Sequence, residues 1–215
     1  MTERSLLLAT GNAGKVREIR RALRGLSSAG RAIKVVGLAD ALPGVTHQER
    51  GRTFASNARA KSLFYSRRWS GLTLAEDSGL EIDALRGAPG VRSARFSAPR
   101  PTDDKNNRKV LRLLEGVPAG ARKARFVCVI VLSERGRVIG QFRGQVRGMI
   151  APAPRGESGF GYDPLFYYPP LRKTFAELPP GVKNSVSHRG RAAAKLLRFL
   201  EAKKKAPSGS DPDRA

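Results

Sequence analysis

Apolar positions change rhythm along the chain, and each change marks an element. Residues 5–9 form a short apolar run, a buried strand that ends in the small-residue turn Gly11-Asn12-Ala13-Gly14. Over 15–26 the spacing becomes helical: Val16, Ile19 and Leu23 share one face, and Arg17, Arg20, Arg21 and Arg24 take the others. Residues 32–38 read as a second strand, followed by a polar loop through Gly44 and Gly51. Thr53 is a helix cap, and the helix over 53–69 carries Phe54, Ala58, Lys61, Leu63 and Phe64 on its face. A strand over 72–76 is expected to stop at Asp77-Ser78-Gly79, with extended structure resuming over 80–85. After the turn Gly87-Ala88-Pro89-Gly90 comes a helix over 103–114. Residues 124–133 and 138–148 flank Arg135-Gly136 and predict a hairpin. A Pro/Gly-rich loop spans 151–164, and Ser187 caps a last helix with Ala193, Leu196, Leu197 and Leu200 turned inward. Strand–helix units mixed with an antiparallel hairpin predict an α/β fold, with a mixed central sheet flanked by helices.

Composition narrows this picture. A chain of 215 residues that is 40% apolar can bury a full core as one domain. Residues 1–201 are expected to form it, with 202–215 as a basic, disordered tail. Cys128 is the only cysteine, so no internal disulfide forms. No secretory signal and no apolar run of membrane-spanning length is present, and the expectation is a cytoplasmic protein that does not enter membranes. Lys and Arg total 41 against 18 acids, a net charge of +23. The excess is scattered over the whole chain. It favours anionic ligands, but it forms no dedicated nucleic-acid patch.

Three clusters carry candidate chemistry. Thr10-Gly11-Asn12-Ala13-Gly14-Lys15 joins the first strand to the first helix. Free N–H groups at a helix start, glycines and a mobile cation suit a phosphate chain, although this is not a Walker loop. Glu76-Asp77 lies at a strand end, where acids suit magnesium and the activation of water, with Glu49 as a third acid. Gly159-Phe160-Gly161-Tyr162-Asp163-Pro164 offers two aromatic faces for a base. Lys183, His188 and Arg189 would form a basic wall beside it.

These clusters, with Thr53-Phe54, Asn57-Ala58, Gly87-Ala88-Pro89-Gly90-Val91, Ser93-Ala94-Arg95-Phe96, Lys173-Thr174, Ala176-Glu177-Leu178 and Ser187-His188-Arg189-Gly190, stand in an order that resembles the inosine triphosphate pyrophosphatases, hydrolases of damaged purine nucleotides. The resemblance runs from about Leu6 to Leu200. It implies an elongated, two-lobed protein with a nucleotide cleft between the lobes, usually a homodimer. It implies hydrolysis of inosine, deoxyinosine and xanthosine triphosphates to monophosphate and pyrophosphate, with Mg2+ as cofactor. Asp77 would be the catalytic acid, and Asp77, Glu49 and Glu76 would be the metal group. Thr10, Gly11, Asn12, Ala13, Gly14 and Lys15 would bind the triphosphate, and Ser78 would touch the substrate. Phe160, Gly161, Tyr162 and Asp163 would hold base and sugar, and Lys183, His188 and Arg189 would read base and phosphates. The chain departs from the family pattern at Glu76, usually Asp, and at Arg50, commonly Thr. It also departs at Ser56, usually an acid, whose loss predicts an incomplete capping box with Thr53. Two rival readings are a broad-specificity nucleoside triphosphate pyrophosphatase and a basic nucleic-acid-binding protein.

Overall fold

The computed structural model describes residues 5–26 and 33–205. Seven strands form one mixed sheet in the order β2-β1-β3-β4-β5-β6-β7. β1 (Ser5–Leu8) lies between β2 (Lys34–Gly37) and β3 (Leu72–Ile82), parallel to both. From β3 onward, β4 (Lys123–Glu134), β5 (Arg137–Ile150), β6 (Phe166–Tyr168) and β7 (Lys173–Thr174) pair antiparallel. Parallel neighbours need crossovers. α1 (Ala13–Ala22) supplies the first, followed by a 3-10 turn at Leu23–Leu26 where a longer helix was expected. α2 (Leu38–Ala41) and α3 (Phe54–Ser66) supply the second. Arg135 and Gly136, at φ 48° and 77°, make the two-residue loop of the expected hairpin.

β4 is buried on both faces, because its alternate residues meet different layers. Val127, Val129 and Val131 pack with Phe54 and Ala58 of α3. Cys128, Ile130 and Leu132 pack with Ile19 of α1 and with Ala192, Ala193 and Leu196 of α6 (His188–Lys205). Further along that second face, Leu80, Ile82 and Phe126 pack with Val110 of α4 (Asp103–Leu113) and with Phe166 and Phe175. The sheet face therefore carries two apolar clusters, one under α1 and α6 and one under α4 and β6.

The structure corrects several expectations. β3 does not stop at Asp77 but runs unbroken from Leu72 to Ile82. Gly79 needs no turn. A Cβ there would lie 2.3 Å from Ser93 Oγ and 2.6 Å from Gly90 O, so the glycine admits the 3-10 segment Gly90–Arg95 against the strand. The capping box at α3 is complete: Ser56 N donates to Thr53 Oγ1 at 3.0 Å, and Thr53 N donates to Ser56 Oγ at 3.2 Å. A hydroxyl does what a carboxylate was expected to do. The short helix α5 (Pro180–Val186) and the short strands β6 and β7 were not anticipated. α6 continues through Lys205, and the rest of the expected tail, 206–215, lies outside the described residues. No helix among the described residues is long and apolar enough to cross a membrane.

Candidate active site

β1 pairs with β3 only as far as Leu74, where Ala9 N donates to Leu74 O at 2.8 Å. β3 continues past that point, where among the described residues its edge meets only an isolated bridge from Glu81 to Pro89, and α1 follows β1 in the chain. Asn12 caps α1 by accepting from Lys15 N at 3.0 Å. The exposed stretch Gly11-Asn12-Ala13 and the free N–H groups of α1 thus open at the carboxyl end of a parallel strand, the usual place for a ligand in such sheets.

Because β3 is continuous, Glu76 and Asp77 face opposite sides of it. Glu76 points under α1 and α6 and is fully buried. Its Oε1 lies 2.9 Å from Lys15 Nζ, and its Oε2 accepts from Arg189 Nε at 3.3 Å and from Cys128 Sγ at 3.1 Å. Arg189 also pairs with Glu18, Glu18 accepts from Lys183 Nζ at 2.6 Å, and Lys183 pairs with Asp163. The order Lys15–Glu76–Arg189–Glu18–Lys183–Asp163 is a chain of six alternating charges that ties α1, β3, α5, α6 and the 159–164 loop together. Burial opposes ionisation of Glu76 and Glu18, but the adjoining cations prevail. Arg189 and Lys15 hold Glu76 well below the usual carboxylate range, and Arg189 and Lys183 hold Glu18 below it. At Asp163 burial outweighs Lys183, and the pKa is raised.

Asp77 projects to the α3 side and lines the pocket with Glu49 and Ser78. Its Oδ2 accepts from Asn57 Nδ2 at 2.9 Å, and its Oδ1 accepts from Ser78 N at 2.9 Å. Asn57 is fixed in turn, accepting from Gly51 N at 2.7 Å. Glu49 pairs with Lys61 of α3. Burial, and then the charge of Glu49, raise the Asp77 pKa. A raised carboxylate facing a pocket is suited to take a proton from water. The expected three-acid metal group is not assembled: no cluster of three His, Cys, Asp or Glu side chains is placed to hold an ion among the described residues. Strand alternation removes Glu76 from it and gives that acid to Lys15 and Arg189. Asp77 and Glu49 remain, two hard oxygen donors lining the same pocket. That set fits magnesium, which takes one or two carboxylates and fills its other positions with water and phosphate oxygens.

The base side is built from the 159–164 loop. Phe160 lies over the first turn of α1, so close that a Cβ on Gly14 would meet its ring at 2.6 Å. Lys183 Nζ stands 5.0 Å from its ring centre and Arg189 Cζ 5.5 Å. Tyr162, expected to offer a second free face, is instead packed into the core, with its hydroxyl donating to Ser93 O at 2.8 Å. The His188 ring stacks on Phe126, centroids 4.6 Å apart and planes 10° from parallel. Burial first, then Arg189, push its pKa well below the usual value, and its Nδ1 is buried with no hydrogen-bond partner among the described residues. Pocket-lining residues among those predicted are Asn12, Lys15, Glu49, Asp77, Ser78, Phe160, Gly161, Tyr162, Asp163, Lys183, His188 and Arg189. Thr10, Gly11, Ala13, Gly14 and Glu76 stand outside that lining. Glu18, Asn57, Lys61, Asp103 and Asn106 were not anticipated. A second cavity, of about 320 Å3, lies further along β3 between Asp83, Arg125, Arg147 and Pro169, away from these groups.

Fold and site together define an α/β protein with one pocket that brings together Asn12 and Lys15 of the α1 terminus, the carboxylate of Asp77 and the aromatic 159–164 loop. The sequence model of the Ham1 family matches residues 6–199. A dITP/XTP pyrophosphatase of Desulforamulus reducens is 48% identical over 91% of this chain and 94% of its own. One of Geobacillus kaustophilus is 45% identical over 90% and 92%. Among solved structures, a HAM1 protein from Coxiella burnetii superposes with a TM-score of 0.82 at 38% identity, covering 93% of this chain and 99% of its own. The chain belongs to the Ham1 family.

Proposed function

We propose that the protein hydrolyses non-canonical purine nucleoside triphosphates (inosine, deoxyinosine and xanthosine forms) to the monophosphate and pyrophosphate, clearing damaged nucleotides from the precursor pool. The carrying observation is the placement of Asp77, its pKa raised, in one pocket with Lys15 and Phe160. The names of the relatives at 45–48% identity support the same substrates.

The triphosphate would lie along the α1 terminus, with Lys15 released from Glu76 far enough to meet it. Asp77, oriented by Asn57, would position the water and take its proton as the oxygen attacks the α-phosphorus. Asp77 and Glu49 would hold magnesium, which when bound supplies positive charge to the phosphates and eases deprotonation of water. Pyrophosphate leaves toward Lys15. The purine would lie against Phe160, within reach of His188 and Arg189. A 6-oxo group accepts where the adenine amino group cannot, which would exclude adenine. The cleft between the two apolar clusters would be the boundary between two lobes. A homodimer working in the cytoplasm completes the reading.

The test is pyrophosphate release, with magnesium, from inosine, xanthosine, guanosine and adenosine triphosphates, alongside a separate phosphate assay. Fast release from the first two and little from the others supports it. Equal release from all four keeps the chemistry and removes the house-cleaning role. No release from any would sink the reading.

A further inference from the structure

The apex of the base-side loop, Gly161, has no side chain to anchor it and is half-buried. Its φ is 63°, a left-handed conformation, and a Cβ built there would meet nothing within 4 Å. Hydrogen bonds from α4 hold it instead, one on each side of the residue. Asp103 Oδ2 accepts from Gly161 N at 2.7 Å, and Asn107 Nδ2 donates to Gly161 O at 3.0 Å. Asp103 and Asn107 lie four residues apart, one helical turn, and so present both groups to the same peptide segment. Asp103 lines the pocket, and Asn107 is 7% exposed.

The neighbours of Gly161 are the residues that shape the base end of the pocket. Phe160 precedes it and lies on Gly14. Tyr162 follows it and is pinned to Ser93 O. Asp163 is anchored to Lys183, and its Oδ2 accepts from Phe160 N at 2.8 Å. The loop is therefore fixed at 162–163 by burial and charge and at Phe160 by Gly14 and Asp163, while both peptide groups of Gly161 itself bond to α4. With no side chain to pack, Gly161 takes its position largely from these two hydrogen bonds, and they help to set the ring of Phe160, one residue away.

We infer that Asp103 and Asn107 are positioning residues for purine binding: they fix the Gly161 peptides and through them the Phe160 ring. This rests on the pyrophosphatase reading. The phosphate end of the pocket is built on α1 and β3, and the side-chain hydrogen bonds of Asp103 and Asn107 go to Gly161 and not to those elements. Losing either bond should therefore weaken the hold on the nucleoside and leave the hold on phosphate intact.

The experiment is steady-state kinetics on inosine triphosphate with the full chain, combined with inhibition by inorganic pyrophosphate. Asp103 is exposed, so its replacement leaves the core untouched. Asp103→Ala and Asn107→Ala are each expected to raise KM about fivefold to tenfold, the loss of one hydrogen bond, with kcat changed less than about twofold. The inhibition constant of pyrophosphate should stay within about twofold of the unsubstituted value. Asp103→Asn keeps the acceptor for Gly161 N and should recover most of the lost affinity. A KM unaltered in both alanine variants overturns the inference, and so does a pyrophosphate constant that rises in step with KM. Failure of Asp103→Asn to recover affinity does the same, since charge would then be what matters. Absence of turnover in the unsubstituted protein instead sinks the pyrophosphatase reading itself.

Discussion

Glu18 is the central acid of the buried charge chain, and replacing it with glutamine tests that chain directly. The residue is 7% exposed, and its carboxylate accepts from Lys183 Nζ and Arg189 Nη1. Glutamine keeps the length and one carbonyl acceptor but loses the charge. Removing one partner of a buried ion pair costs about 3–5 kcal/mol. Here each stranded cation keeps a second carboxylate, Asp163 for Lys183 and Glu76 for Arg189, so the lower end, about 3 kcal/mol, is expected. For a chain of this size that lowers Tm by roughly 6–12 °C. The pH dependence gives a second reading. The folded pKa of Glu18 lies below the ordinary 4.5, so its contribution is complete above that value and is lost as pH falls through the folded pKa. Thermal unfolding of the original protein and of Glu18→Gln from pH 8 to pH 3 should show a constant gap at neutral pH that closes on the acid side. A Tm shared by both proteins at pH 7, or a gap that persists undiminished at the acid end, refutes the reasoning.

Asn57→Ala removes the donor to Asp77, and kcat for pyrophosphate release should fall about tenfold, the scale of one hydrogen bond to a charged group. Gly14→Ala places a methyl 2.6 Å from the Phe160 ring, and the ring must move. KM for the nucleotide should rise severalfold, although alanine is the better helix former by about 1 kcal/mol. Ser56→Ala breaks the α3 capping box and should lower stability by about 1 kcal/mol in denaturant titration, with kcat unaltered because Ser56 lies outside the pocket lining. Raising salt should lower kcat/KM for the triphosphate while kcat holds, since a net charge of +23 steers an anion only over an unscreened range. A flat salt profile would assign the surface charge no part in capture.

The sequence made legible whatever local rhythm governs. The β1–α1 unit, the α3 cap, the β4–β5 hairpin and the α6 face all follow from spacing and turn residues close in the chain. The break expected at Asp77 is an instructive failure. Asp, Ser and Gly together imitate a turn, but Gly79 is there to let the Gly90–Arg95 segment approach, a contact no local pattern contains. That one error carried into the site. With β3 read as ending, Glu76 and Asp77 belonged to one cluster, whereas an unbroken strand sends them to opposite faces with separate partners. β6 and β7 were invisible for a simpler reason: runs of three and two residues are too short to show a period.

Glu18 illustrates the other boundary. In the sequence it is one acid on an arginine-rich helix, with the spacing of a solvated residue. Its partners, Lys183 and Arg189, are 165 and 171 positions away, and only the packing of α1 against α5 and α6 brings them together. The same packing changes the meaning of the charge excess. The basic residues lining the pocket do not add to the excess, because Lys15, Arg189 and Lys183 are matched by Glu76, Glu18 and Asp163. The net positive field is thus a property of the exposed arginines and lysines and acts on approach, while the buried groups form a balanced frame. In a balanced frame an arriving phosphate competes for Lys15 with Glu76. On the proposed function, binding would then rest on the free N–H groups of α1 and on a cation held by Asp77 and Glu49, more than on an unpaired lysine.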